Sequence, residues 1–254
     1  MLKLAVLGSP INHSLSPQIH SEAYRLLGIE ASYERFQVEE ESFSTFMKSH
    51  ADWNGFSLTM PLKSVGVEVC KSLSDSVMAT GAVNTLIARD SSWFGYNTDV
   101  LGFEFLLQNR DLRSVSVLGA GGTAKAALFA LGLKGFGATV YRRNPQRDSL
   151  LMKSNPKVEI RPWDEVEEAF SSKLLINALP NSAFDSELKM YRAKGDVMDS
   201  LYHPWPTPLG LTTDTQRYSS GKDLLVAQAL FQIELFANVT IEKEEFFSQL
   251  RSKI

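Results

Sequence analysis

The chain has 254 residues, 44% hydrophobic and 22% charged, a balance that supports a sizeable core and carries no signature of disorder. A net charge of -3 and a pI near 5.9 give no electrostatic case for nucleic acid or an anionic membrane, so the expected partners are small molecules. One cysteine, Cys70, excludes an intramolecular disulfide framework, and the four histidines have no metal-ligand spacing, so no metal is expected and a reducing cytoplasm fits. The apolar run Leu4 to Leu7 is too short for a signal-peptide core, and no stretch reaches the roughly 18 apolar residues of a membrane span. At this length two modest domains are expected rather than one.

Leu4-Ala5-Val6-Leu7 reads as a first strand, closed by Gly8-Ser9-Pro10. Ser16 followed by Pro17 reads as a helix opening, with serine as N-cap and proline at the first helical position, and Gly28 as the stop. Capping accounts for one serine and leaves Ser14, while two hydroxyls beside a helix N-terminus also make a neutral seat for a carboxylate. Ser32 to Val38 reads as a strand, Ser42 to His50 as a short helix, and Gly55 to Thr59 as a strand stopped by Pro61. The alternation predicts a parallel sheet. Lys63 is expected at a helix start, where the macrodipole disfavours a cation; either it is simply exposed or function has placed it there. Asn84 and Asp99 stand beside small residues at strand ends, where both types ordinarily make turns.

From Ser114 to Leu131 the pattern is strand, glycine turn, helix. In Gly119-Ala120-Gly121-Gly122-Thr123-Ala124, Gly119 suits the tight turn, Gly121 lets backbone approach a pyrophosphate, and the helix start offers N–H donors to that anion. The G-x-G-G-x-A spacing departs from the standard dinucleotide fingerprint, and plain turns share this composition. The next strand, Ala138 to Tyr141, ends at Arg142-Arg143-Asn144, where an NAD-binding unit carries an acid for the ribose 2′-hydroxyl. Two guanidinium groups instead suit a 2′-phosphate, hence NADP, unless they are only solvated charges at a strand end.

Taken together, the motifs make the chain resemble the shikimate dehydrogenase family nearly end to end. They are Gly8 to Pro17 with Ser14 and Ser16, Leu58-Thr59-Met60-Pro61-Leu62-Lys63, Gly81-Ala82-Val83-Asn84-Thr85, Asn97-Thr98-Asp99, Gly119-Ala120-Gly121-Gly122 and Leu225-Val226-Ala227-Gln228-Ala229. The resemblance implies NADP-linked reduction of 3-dehydroshikimate to shikimate, on the pathway to aromatic amino acids. It also implies an α/β fold of two domains. A split substrate domain of residues 1–99 completed by 222–254 would enclose an inserted Rossmann-type NADP domain of residues 100–221.

By the same resemblance Lys63 and Asp99 flank the reacting hydroxyl or ketone, and Ser14, Ser16 and Tyr202 hold the substrate carboxylate. Thr59, Asn84 and Gln228 hydrogen-bond other substrate groups, chiefly ring hydroxyls. Gly119, Gly121, Gly122, Thr123, Ala124, Arg142, Arg143 and Asn144 hold NADP. A monomer or homodimer is expected. The chain departs from the family pattern at Ser57, commonly asparagine, which implies a weaker or longer substrate contact. It departs also at Arg142, commonly asparagine, at Asn144, commonly threonine, and at Asp223, commonly glycine; Asn177 to Pro180 keeps only the start of a further cofactor loop. The alternatives are an NAD-using quinate/shikimate dehydrogenase and a non-catalytic sensor of a shikimate-like ligand.

Overall fold

The N-terminal apolar run forms β1 (Leu2–Gly8), a strand with neighbours on both sides. Alternate side chains of a strand face opposite ways, so Leu4 and Val6 enter one core while Ala5 and Leu7 enter another. A strand buried on both faces must be apolar throughout, which is why this run shows no alternation. The computed structural model describes residues 1–180, 188, 190–203 and 205–254. They form two units, Met1–Gly102 with Leu225–Ile254, and Phe103–Leu224.

In the first unit β1 is followed by α1 (Ser16–Leu27), β2 (Ala31–Gln37), α2 (Glu40–Ser49), β3 (Gly55–Leu58), β4 (Cys70–Leu73), α3 (Asp75–Thr80), β5 (Thr85–Arg89), β6 (Ser92–Tyr96) and α4 (Thr98–Leu106). The sheet order is β2-β1-β3-β5-β6-β4. β1 pairs parallel with β2 and β3, and β4 parallel with β6, but β5 runs antiparallel to both β3 and β6. The expected parallel sheet is therefore a mixed one. The cause is the two-residue connection Asp90-Ser91, at φ 49° and 56°, because only antiparallel strands can be joined by so tight a turn.

The second unit holds β7 (Val115–Leu118), α5 (Gly122–Leu133), β8 (Ala138–Arg142), α6 (Asp148–Ser154), β9 (Val158–Pro162), β10 (Leu174–Asn177), β11 (Asp196–Asp199), α7 (Pro208–Thr212) and β12 (Tyr218–Ser219). α8 (Gly221–Ala237) and α9 (Lys243–Arg251) complete the chain. All pairings in the second sheet are parallel, in the order β12-β11-β10-β7-β8-β9. This is the doubly wound Rossmann order, with its topological switch between β7 and β10. The division between the units falls inside α4, after Gly102, and inside α8, before Leu225. No helix among the described residues is long and apolar enough to cross a membrane.

One polar ring lies inside the first core. His20, on α1, is fully buried, its ring stacked on Tyr33 at 4.0 Å, with Nε2 3.2 Å from Gln232 Oε1 and Nδ1 3.3 Å from the Tyr24 hydroxyl. Burial pushes its pKa from 6.5 down to about 3, against the smaller opposing effect of the Gln232 bond. The unfolded chain therefore binds the extra proton throughout that window. The His20 contribution to stability is fully present above pH 6.5 and is lost as the pH drops towards 3. In urea titrations His20 should contribute a slope approaching about 1.4 kcal/mol per pH unit between roughly pH 6 and 4. His20→Gln should remove that component, whereas equal slopes in the two proteins would show that His20 does not titrate on unfolding.

Candidate active site

The Lys63 ammonium donates to Asp99 Oδ2 at 2.6 Å, with side-chain exposures of 24% and 9%. Contrary to the expectation from the sequence, Lys63 does not begin a helix. It sits in the turn between Pro61 and a short 3-10 helix, Val65–Val69, where its carbonyl accepts from Val83 N–H at 2.7 Å. The macrodipole conflict therefore disappears. What fixes the ammonium is the carboxylate, which lies in the first turn of α4, where negative charge is favourable.

Asn84 joins strand to helix. Its Oδ1 accepts from Thr98 N–H at 2.7 Å, satisfying a donor that the start of α4 leaves open, and its Nδ2 donates to Asp99 Oδ1 at 2.9 Å. Because a backbone N–H can only donate, the amide orientation follows from chemistry. Thr98 Oγ1 and Gln228 Oε1 lie 2.9 and 3.3 Å from the same Nδ2. Asn97 Oδ1 accepts from Asp99 N–H at 3.2 Å. Gln228 is held in turn by its own Nε2 donating to Leu225 O at 2.7 Å. Lys63, Asn84, Asp99 and Gln228 thus form one hydrogen-bonded group, while Thr59 is partly buried just ahead of the Lys63 turn and accepts from Leu62 N–H through its carbonyl.

The start of α1 differs from expectation. Leu15, not Ser16, is the N-cap; Ser16 is the first helical residue and no side chain caps the helix. Ser14 Oγ accepts from Ser16 N–H at 3.3 Å, and the buried Ser16 hydroxyl makes no hydrogen bond among the described residues. Capping therefore does not explain Ser16. Tyr202 belongs to the second unit, in the segment after β11, and burial raises its pKa.

In the second unit Gly119 follows β7 at φ +104°, and a Cβ there would lie 3.1 Å from the carbonyl oxygen of Ala178, just past β10. The glycine thus allows the two strand ends of the switch point to approach. Gly121 is the N-cap of α5 with no side-chain cap, and nothing lies within 4 Å of a Cβ built on it. Gly122 and Thr123 form the open first turn, and Ala124 is fully buried. Backbone donors at the start of a 12-residue helix beside open space fit a pyrophosphate.

Beyond β8, Arg142 makes a bidentate pair with Asp148 at 2.7 Å through both Nε and Nη2, so its charge is already partnered. The Arg143 guanidinium lies 4.4 Å over the Trp163 ring, and Asn144 Oδ1 accepts from Gln146 N–H at 2.9 Å, closing the turn. Lys125, on α5, has its pKa lowered first by burial and then by repulsion from Arg147 and Lys153. No group of His, Cys, Asp and Glu side chains among the described residues could hold a metal ion.

A family model for the shikimate dehydrogenase substrate-binding domain matches residues 6–86. An NADP(+) shikimate dehydrogenase of Thermus thermophilus is 34% identical over 239 residues, covering 91% of this chain and 87% of that one. The chain belongs to the shikimate dehydrogenase family. A Helicobacter pylori enzyme of the same name is 30% identical, covering 97% of each chain. Among solved structures, Mycobacterium tuberculosis shikimate dehydrogenase superposes with a TM-score of 0.89 at 29% identity, covering 100% of both chains. Shikimate 5-dehydrogenase of Thermus thermophilus, solved in complex with NADP(H) and shikimate, gives 0.86 at 30% identity with the same coverage.

Several departures from the shikimate dehydrogenase pattern have local structural reasons. Ser57, expected to lengthen a substrate contact, has its hydroxyl committed to the core, accepting from Tyr33 at 2.6 Å and donating to Gln232 Oε1 at 2.9 Å. Asp223 reaches back to Ser220 N–H at 2.6 Å, the return half of a capping box that starts α8. Asn177 ties β10 to β11 through Asp199 at 2.9 Å; the loop beyond Pro180 lies largely outside the described residues. Sequence reasoning missed Thr85, Thr98, Lys125, Asp148 and Gln232. For Gln232 a signal existed, since an amide one turn after Gln228 on an otherwise apolar helix face needs a buried partner.

Gly102 sets how closely α4 approaches α8: a Cβ there would lie 2.9 Å from Gln228 N and 3.1 Å from its Cα. Gly102→Ala should force the helices apart and destabilise by about 1–3 kcal/mol, despite the better helix propensity of alanine. A thermal melt at or above the wild-type value would show that the contact is not limiting.

Proposed function

We propose that the protein is an NADP-dependent shikimate dehydrogenase, reversibly reducing 3-dehydroshikimate to shikimate with NADPH on the route to aromatic amino acids. The observation that carries this reading is the Lys63 ammonium, held at 2.6 Å by Asp99, whose other oxygen accepts from Asn84. Ketone reduction needs a proton donor within hydrogen-bond reach of the oxygen that becomes alkoxide. Bound NADPH supplies the hydride. Lys63 donates to the ketone oxygen, stabilises its growing negative charge and releases the proton that completes the hydroxyl. Asp99 holds Nζ in place and compensates its charge. Asn84, Gln228 and Thr59 orient the ring hydroxyls, and Ser14 and Ser16 receive the carboxylate.

For the cofactor, the turn Gly119 to Gly122 with Thr123 and Ala124 receives the pyrophosphate, and Arg143 takes the 2′-phosphate. Arg142, locked to Asp148, shapes that strand end while Asn144 closes the turn after it. The reducing cytoplasm is the compartment that suits a chain with one cysteine.

Turnover of shikimate followed by nicotinamide absorbance, with NADP and NAD in parallel, tests the reading. No turnover with either would leave a binding protein, and a preference for NAD would favour the quinate/shikimate alternative. Lys63→Ala should lower kcat by about 10² to 10⁴-fold with a much smaller change in KM, since the ammonium matters most in the transition state. A variant with intact kcat and raised KM would make Lys63 a binding residue only. Arg143→Ala should raise KM for NADP about 10- to 100-fold and leave NAD nearly untouched, the more so at low salt. Equal losses with both cofactors would remove the phosphate role from Arg143.

A further inference from the structure

Behind the Lys63 group lies a buried series of hydrogen bonds whose direction can be read from end to end. Gln232 Nε2 is 3.1 Å from the Asn84 carbonyl oxygen, which can only accept, so this atom is the amide nitrogen and Oε1 faces the other way. Oε1 therefore accepts from the Ser57 hydroxyl at 2.9 Å and from His20 Nε2–H at 3.2 Å. Ser57 in turn accepts from Tyr33 at 2.6 Å. On the other side Gln232 Nε2 donates to Thr85 Oγ1 at 2.9 Å, and Thr85 donates to Asn84 Oδ1 at 2.8 Å. Asn84 Nδ2 then donates to the carboxylate that holds Lys63.

Every group points its proton towards the next, from Tyr33 through Ser57, Gln232, Thr85 and Asn84 to Asp99. Such a series is mutually polarising, and a break in it strands buried polar atoms. Gln232 is 1% exposed and Ser57 5%, so water does not readily replace either.

We propose that Gln232, backed by Ser57, is a positioning residue that sets Asn84 and through it the Asp99–Lys63 pair for the reaction. Asn84 is gripped twice from this side, at its backbone oxygen by Gln232 and at its side-chain oxygen by the Thr85 hydroxyl that Gln232 orients. Serine at position 57 is part of the device: its short side chain leaves the hydroxyl in reach of both Tyr33 and Gln232. The role rests on the dehydrogenase reading above, and it adds residues with no contact to the reacting atoms.

The test is kinetic, with a second readout independent of turnover. Gln232→Met, of similar length but with no amide, should lower kcat about 5- to 30-fold while KM for shikimate and for NADP stays within about twofold, as for a small misplacement of reacting groups. Thr85→Val should act alike, and the double variant should be no worse than the more impaired single one, because both break the same series. Should Gln232→Met fail to fold, Ser57→Ala removes a single oxygen and should still lower kcat about twofold. By NMR, the Asn84 side-chain amide protons should exchange with solvent faster in each variant than in the wild type.

Unchanged kcat in Gln232→Met or Ser57→Ala, additive losses in the double variant, or a loss confined to KM would each overturn the proposal. If the wild type itself failed to turn over shikimate, the dehydrogenase reading would fall, and amide exchange alone would still judge whether Gln232 positions Asn84.

Discussion

The first unit depends on one amide. Asn84 lies between β5 and the start of α4, and its two ends do opposite jobs: the oxygen closes an open backbone donor of the helix, and the nitrogen supports the carboxylate one residue further on. Because Asn84 is 2% exposed, each of these bonds replaces water that cannot enter. The amide thus couples helix capping to the placement of the Asp99 carboxylate. A group with both duties has little freedom to drift.

The Lys63–Asp99 pair gains its meaning from that setting. A partly buried ion pair is weak evidence for stability, since desolvation offsets much of the attraction. Here the pair stands at a helix N-terminus, with the carboxylate shared between an ammonium and a neutral amide, and with a quarter of the lysine side chain open to solvent. The arrangement leaves the ammonium fixed by one partner and able to meet another. The proposed role of Lys63 as proton donor to a ketone oxygen needs that freedom.

The two units solve the covering of an apolar sheet differently. In the first, the tight Asp90-Ser91 turn folds the chain back and makes the sheet mixed. In the second, every strand pairing is parallel, and the switch point lies between β7 and β10, where Gly119 allows two strand ends to come together. The positive φ at Gly119 and the close approach of Gly102 to Gln228 are two places where an added side chain would change the local packing.

Local chemistry made much of this readable beforehand. Strand, glycine turn and helix follow from β-branched and apolar runs, from glycine's freedom and from alanine's helix preference, all of which act within a few residues. The motifs around Ser14, Lys63, Asn84, Asp99 and Gln228 were likewise visible in order along the chain. Tertiary structure alone decided what those residues touch. Whether Lys63 sits at a helix start or in a turn, whether Arg142 is available or locked to Asp148, and whether Ser57 faces outward or joins Tyr33 and Gln232 depend on how the packed chain places their partners. Gln232 lies 175 residues from Ser57 and 148 from Asn84. Hydrogen-bond direction in a buried series is set by which neighbours can only donate or only accept. That property belongs to the packed interior, and no local pattern encodes it.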